Sequence, residues 1–222
     1  MSDGGVFLNL IYYIFLLLII FLLLMLLRKN NNLSPKKIKI YMAVVISLFL
    51  IRYIALFLLC IVKSGVYLHL FKSLLFLNNL AIPLIVLALD YVFLRWNKLS
   101  FSINYIIAAI LVGLYCVGMY FTKIKIIFNI DYGYIINVKN EVILYLGSLI
   151  IVGILLIFTV YFLDKPNCNK MGLIYVISAL IIVILENVIH VGGVRYFPYP
   201  IIGDGIFVLL MNLCMNTFKV KR

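Results

Sequence analysis

Long apolar runs, broken by short polar and mostly basic stretches, set the pattern of this chain from one end to the other. The first run covers about 6–27 and closes at RKNNNLSPKKIK, where Pro35 has neither the N–H nor the steric freedom to continue a helix. Further runs follow at about 40–62, 70–94, 103–121, 142–163, 171–191 and 200–218. Each comes close to the roughly 20 apolar residues that a helix rising 1.5 Å per residue needs to cross a bilayer core. The pattern predicts an all-α integral membrane protein, a seven-helix bundle forming a single transmembrane domain over residues 1–222. Most connectors are short: a turn at Ser64-Gly65, RWNK at 95–98 and DKPNCNK at 164–170. The stretch 122–141 differs. In KIKIIFNIDYGYIINVK, β-branched and aromatic residues alternate loosely around Asp131-Tyr132-Gly133, which predicts a β-hairpin with a glycine-containing turn in an outer loop.

Composition explains why lipid must be the solvent. Apolar residues make up 67% of the chain and charged residues 12%, with a mean hydropathy of +1.24. Soluble domains run nearer half apolar and a quarter charged, and a chain of this size has no core large enough to hide the excess. Seven spans also leave no room for a kinase, nucleotide-binding or DNA-binding domain. The net charge of +12 does not point to nucleic acid, because the basic residues lie between apolar runs instead of along one face. They orient the bundle. Arg28, Lys29, Lys36, Lys37, Lys39, Arg95, Lys98, Lys165, Lys170, Lys219, Lys221 and Arg222 fall on one side. Lys63, Lys72, Lys123, Lys125, Lys139 and Arg195 fall on the other. The excess belongs in the cytoplasm, which places the N-terminus outside and the C-terminus inside the cell membrane, and an odd number of spans keeps the alternation consistent. The first run has no basic leader and no small-residue cleavage site, so it is expected to remain as a helix. Cys60, Cys116, Cys168 and Cys214 show no metal-binding spacing and are expected to be reduced thiols.

Ionisable residues inside a bilayer are costly unless paired or hydrated, so they are the candidates for function. Arg52 lies near the middle of the second run and needs a partner. Glu186 stands within roughly 5 Å of it in depth by helical rise, and Asp90 roughly 10 Å nearer the cytoplasm. Asp90 leans back towards Arg52, because side chains tilt to the N-terminal end of their helix. Either acid can therefore serve. Glu186 and His190 are four residues apart and share a helix face. They could form a hydrogen-bonded pair, a proton relay or, with His69, a metal site, which needs at least three ligands. Asn78, Asn79, Asn187 and Asn212 either tie helices together or line a polar pocket among the second, third, sixth and seventh runs. Pro83, four residues after Asn79, frees a carbonyl in mid-membrane. Tyr196, Phe197 and Tyr199 read as an interfacial aromatic belt or the lip of an outward pocket.

The third run, LHLFKSLLFLNNLAIPLIVLALDYVF, and the last third, from ILENVIHVGG through YFPYPIIGDGIFVLLMN to a basic exit, resemble the seven-transmembrane sensor region that precedes bacterial histidine kinases. The resemblance spans about residues 6–218. It implies a non-catalytic, cofactor-free input module that binds a small or lipophilic ligand and passes a helix shift to an output domain. In that family the seventh helix runs on into the output, whereas this chain stops at Arg222. The output is then expected on a cytoplasmic or membrane signalling partner, unless the chain is a truncated relict. Besides the lipid bilayer and such a partner, a second copy of the chain is the remaining candidate for association. Three other classes compete. A small transporter would use Arg52, Asp90 and Glu186 as a coupling path, but the chain has no internal repeat with matched broken helices. An accessory subunit of a membrane complex needs no site at all. A membrane-embedded enzyme built on Glu186 and His190 would need a nucleophile or metal that no motif supplies.

Overall fold

A computed structural model describes residues 3–62, 68–94, 101–129, 132–139, 141–166 and 168–218. The described residues form eight helices and one two-stranded sheet. In chain order these are α1 (Asp3–Leu33), α2 (Lys36–Ile61), α3 (Leu68–Leu75), α4 (Asn78–Leu94), α5 (Ser102–Phe121), β1 (Ile124–Asn129), β2 (Gly133–Val138), α6 (Glu141–Phe162), α7 (Lys170–Val191) and α8 (Ile202–Asn216). Five stretches, Asn9–Leu33, Ile38–Ile61, Ser102–Phe121, Glu141–Phe162 and Lys170–Val191, are long and apolar enough to cross a membrane, as expected of a multi-pass membrane protein. The helices α4 and α8 are apolar but shorter, with 17 and 15 residues. At 1.5 Å per residue they extend only about 25 and 22 Å.

Two expected boundaries move. The first helix does not stop at residue 27 but continues through the asparagine-rich stretch to Leu33. Polar side chains there find partners inside the fold: Asn30 is buried and donates to the Lys39 carbonyl, and Lys29 Nζ donates to the Asn212 carbonyl. Pro35 then ends the helix and stands immediately before α2. The third run is not one helix. It breaks at Phe76 and Leu77, where the Asn79 N–H turns to the Phe76 carbonyl, three residues back, instead of to Leu75. The Ser64-Gly65 turn, the RWNK connector, Asp131 and the basic tail after Phe218 lie outside the described residues.

The helices close into a ring in the order α1, α2, α4, α6, α7, α8, with α8 packing back on α1. Most of α4 is buried, on every side, as an all-round apolar helix in the middle of a bundle should be. By contrast α5 leans on α4, scarcely touches α6, and buries only Asn104 and Met119 of its own length. Its apolar surface faces outward, where Ile106, Ile110, Leu114 and Val117 are exposed. Such a face suits contact with lipid.

The expected hairpin is present. β1 and β2 pair antiparallel with Ile124 opposite Val138 and Asn129 opposite Gly133. Gly133 has a φ of 75°, and a Cβ there would stand 2.7 Å from the Leu59 carbonyl oxygen. Only glycine suits both the left-handed backbone and the close approach to the end of α2. The hairpin therefore sits over one end of the ring, against α2, with Ile136 and Val138 buried beneath it.

Candidate functional site

Arg52 is the largest fully buried side chain among the described residues, and its partner is Asp204. Neither Glu186 nor Asp90 holds it, which corrects both pairings expected from the sequence. Arg52 Nη1 donates to Asp204 Oδ2 and, at 2.9 Å, to the Tyr53 hydroxyl, which donates onward to the same carboxylate oxygen at 2.8 Å. The Asn78 side chain also faces Asp204 and helps to hold its charge. Arg52 Nε donates to the Leu75 carbonyl at 2.7 Å, and Nη2 reaches the Pro200 carbonyl at 3.4 Å. The helix break explains the Leu75 contact. Because the Asn79 N–H has turned away, that carbonyl has an open lone pair, and the guanidinium fills it. The result is a polar centre joining α2, the α3–α4 break, the loop before α8 and the first turn of α8. Exposure of Arg52 is 1% and of Asp204 2%, so the charges are removed from water and satisfied only by each other and these dipoles.

Asp204 reaches this depth because the chain enters the bundle before α8 begins. Tyr199, Pro200 and Ile201 are already buried when the helix starts at Ile202. Sequence reasoning passed over Asp204, although it lies within the last run at about 200–218. The sequence signal was the IGDG tetrad opposite an unmatched arginine.

Glu186 has a different task. Its Oε1 accepts from the Ile202 N–H at 2.8 Å and its Oε2 from the Gly203 N–H at 2.7 Å. Ile201, at the cap position, offers no side-chain acceptor. A carboxylate from α7 thus caps α8, satisfying two of its open N–H groups at the positive end of the helix dipole. The fit requires glycine: a Cβ on Gly203 would come within 2.6 Å of Glu186 Oε2.

His190 does not pair with Glu186. Its Nε2 lies 3.1 Å from Glu141 Oε1, its ring meets Tyr145 edge-on, and Arg195 donates to Glu141 Oε2 at 3.2 Å. This cluster ties the start of α6 to the end of α7. His69 is exposed on α3, and among the described residues no three His, Cys, Asp or Glu side chains gather as metal ligands. The His69–Glu186–His190 site is not assembled.

The aromatic loop divides. Tyr196 is exposed, Phe197 packs at 5.4 Å on Tyr12, and Tyr199 is buried under the hairpin. In the β1–β2 register the main-chain groups of Ile136 point away from β1. The Tyr199 hydroxyl accepts from the Ile136 N–H at 2.9 Å and donates to its carbonyl at 3.3 Å, acting as a third partner at the sheet edge. Burial pushes the Tyr199 phenol up from its ordinary value, so it stays a protonated donor at any physiological pH. Replacing it, Tyr199→Phe, is expected to free both groups and cost about 1–2 kcal/mol. Faster backbone exchange at Ile136, read by hydrogen–deuterium exchange in detergent, checks this; unchanged exchange would rule the clamp out.

Asp90 lies elsewhere, on α4 towards the end opposite the hairpin. It is 4% exposed; its Oδ2 accepts from the Thr159 hydroxyl at 2.8 Å, and its Oδ1 has no partner. The asparagines also separate. Asn78 joins the Arg52 centre, Asn212 donates to the Leu22 and Val208 carbonyls, Asn187 is buried on α7, and Asn79 lines a cavity between α5 and α6. No single pocket gathers them. Cys60, Cys116, Cys168 and Cys214 are free thiols.

A search of protein-family models, curated proteins and solved structures gives no match to this chain.

Proposed function

We propose that this chain is a sensor module of a bacterial cell membrane, similar to the input region of seven-transmembrane histidine kinases, and that it signals through a partner protein. In this reading it crosses the bilayer seven times. The third crossing is made by α3 and α4 together, and the seventh by α8 with Ile201 leading into it. The hairpin and the loop of Tyr196 to Pro200 face outward, and the basic connectors face the cytoplasm.

One observation carries the reading. The Arg52–Asp204 centre lies between the hairpin end of the ring and the first turn of α8, a helix that runs on to the opposite end. A ligand that displaces the loop before α8 acts on Pro200 and Asp204 together, both held by Arg52. Glu186, grasping the N-terminus of α8 from α7, is the second handle on that helix. Shifting α8 requires a ligand with different affinity for two positions of the loop. A groove of about 210 Å³ beside that loop, lined by Glu186, His190, Phe197, Tyr199 and Gly203, is where such a ligand would act.

Purification of the tagged chain from its native host in mild detergent, with mass spectrometry of what accompanies it, tests this function. A histidine kinase or comparable output protein at near-stoichiometric amounts is the expected result. A transport ATPase, or the chain alone, would overturn it.

A further inference from the structure

Between α5 and α6, floored by α4, lie two adjoining cavities of about 390 and 250 Å³ that share Leu111 and Ile151 as walls. They exist because α5 leans on α4 and leaves α6 almost untouched. The smaller reaches Asn79 and the larger reaches Asp90. Those two residues are eleven positions apart on α4, so the groove runs about 16 Å along the helix axis. That is about the depth of one leaflet of a bilayer core roughly 30 Å thick. An apolar slot of leaflet depth is suited to a single alkyl chain, and its combined size is that of an ordinary small-molecule site.

The two ends differ. At the larger cavity Asp90 is 4% exposed, and its Oδ1 has no hydrogen-bond partner. Thr159 shares its one hydroxyl proton between the other oxygen and the Leu155 carbonyl, each at 2.8 Å, so it has none for Oδ1. Tyr91, Phe158 and Phe162 line the same cavity. A buried acid with one unpartnered oxygen, beside a cavity whose lining includes aromatic rings, offers an ammonium a charge partner, an acceptor and ring quadrupoles. A fatty acid or phosphate head would meet a like charge there.

We infer that the α5–α6 groove binds one long-chain amphiphile with a primary ammonium head, the head on Asp90 and the chain lying past Leu111 and Ile151 towards Asn79. This site is separate from the sensor reading, since the groove can take an amine whether or not the chain signals.

The test uses the full chain in phosphatidylcholine nanodiscs with dodecylamine carrying a mid-chain diazirine, and cross-linked peptides are mapped by mass spectrometry. Labelling is expected to concentrate on α5 and α6. Unlabelled dodecylamine should compete at least tenfold better than dodecanoate or dodecanol. Asp90→Asn and, independently, Ile151→Trp, which fills the slot away from the head site, should each lower labelling about tenfold in variants that remain monodisperse. Should Asp90→Asn fail to fold, the amine preference of the native chain and the Ile151→Trp result decide. Equal labelling of the lipid-facing side of α1, equal competition by the acid or the alcohol, or full labelling of a folded Asp90→Asn or Ile151→Trp variant would each overturn the assignment.

Discussion

Arg52→Ala, made alone, removes most of the folded protein recovered in detergent. It leaves Asp204 ionised or forced to take up a proton inside a site that Tyr53 and Asn78 were arranged to share with a cation. Breaking one side of a buried ion pair costs about 3–5 kcal/mol, a large part of the 5–15 kcal/mol that holds a typical domain together. Asp204→Ala carries a similar loss for the mirrored reason, and it strands the guanidinium. The double replacement Arg52→Ala with Asp204→Ala is expected to cost well under the sum of the two single losses. It removes both charges together but leaves the Leu75 carbonyl and the Tyr53 hydroxyl without their partners. Thermal unfolding followed by size-exclusion chromatography of the four proteins gives the coupling energy directly. Additive losses would show that Arg52 and Asp204 do not act as a pair. If Arg52→Ala stayed folded and lost only co-purification of the partner, the centre would be a signalling element and not a structural tie.

The second large effect is expected at the α8 cap. Glu186→Ala removes two charge-assisted hydrogen bonds from N–H groups with no other acceptor, and costs about 2–3 kcal/mol. Glu186→Gln keeps one carbonyl oxygen but turns an amide N–H towards the helix, so it should recover about half. Gly203→Ala is the informative companion. Its methyl would occupy the position of Glu186 Oε2, so it should remove the cap without touching the glutamate. In the double variant with Glu186→Ala the two losses should overlap, since the same contact is broken twice. Full additivity, measured by the same unfolding assay, would mean that the carboxylate does not cap α8.

What could be read from the sequence follows from which forces act locally. Apolar runs longer than a dozen residues have few alternatives to a helix in lipid, so every helix except the pair α3 and α4 was recognised within a few residues of at least one end. The hairpin was legible because alternation and a glycine turn are short-range signals. The break at Phe76 and Leu77 was not legible. Both residues are apolar, and the break is coupled to Arg52, twenty-three positions earlier, capturing the Leu75 carbonyl. For the same reason Arg52 could be marked as needing a partner while the partner itself was misassigned. Depth counted from run boundaries assumes that each helix begins at the membrane surface. The chain before α8 is already buried, so Asp204 in the first turn of α8 meets Arg52 where a count from the helix end would put a surface residue. Glu186 was recognised as an unusual residue, but the backbone N–H groups it serves carry no letter in a sequence.

The distance along the chain between Arg52 and Asp204 has a consequence for how this protein is made. They are 152 residues apart. At roughly 5–20 residues per second, a ribosome needs on the order of 8–30 s after Arg52 to deliver its counter-charge. Throughout that interval α2 has been offered to the bilayer with a guanidinium that lacks its counter-charge, and the entry of such a group into lipid costs about 3 kcal/mol at mid-helix. The nascent chain therefore depends on the insertion machinery, or on water drawn in beside it, to shelter α2 until α8 emerges. A slow or stalled ribosome before residue 204 should leave α2 open to membrane proteases and quality control.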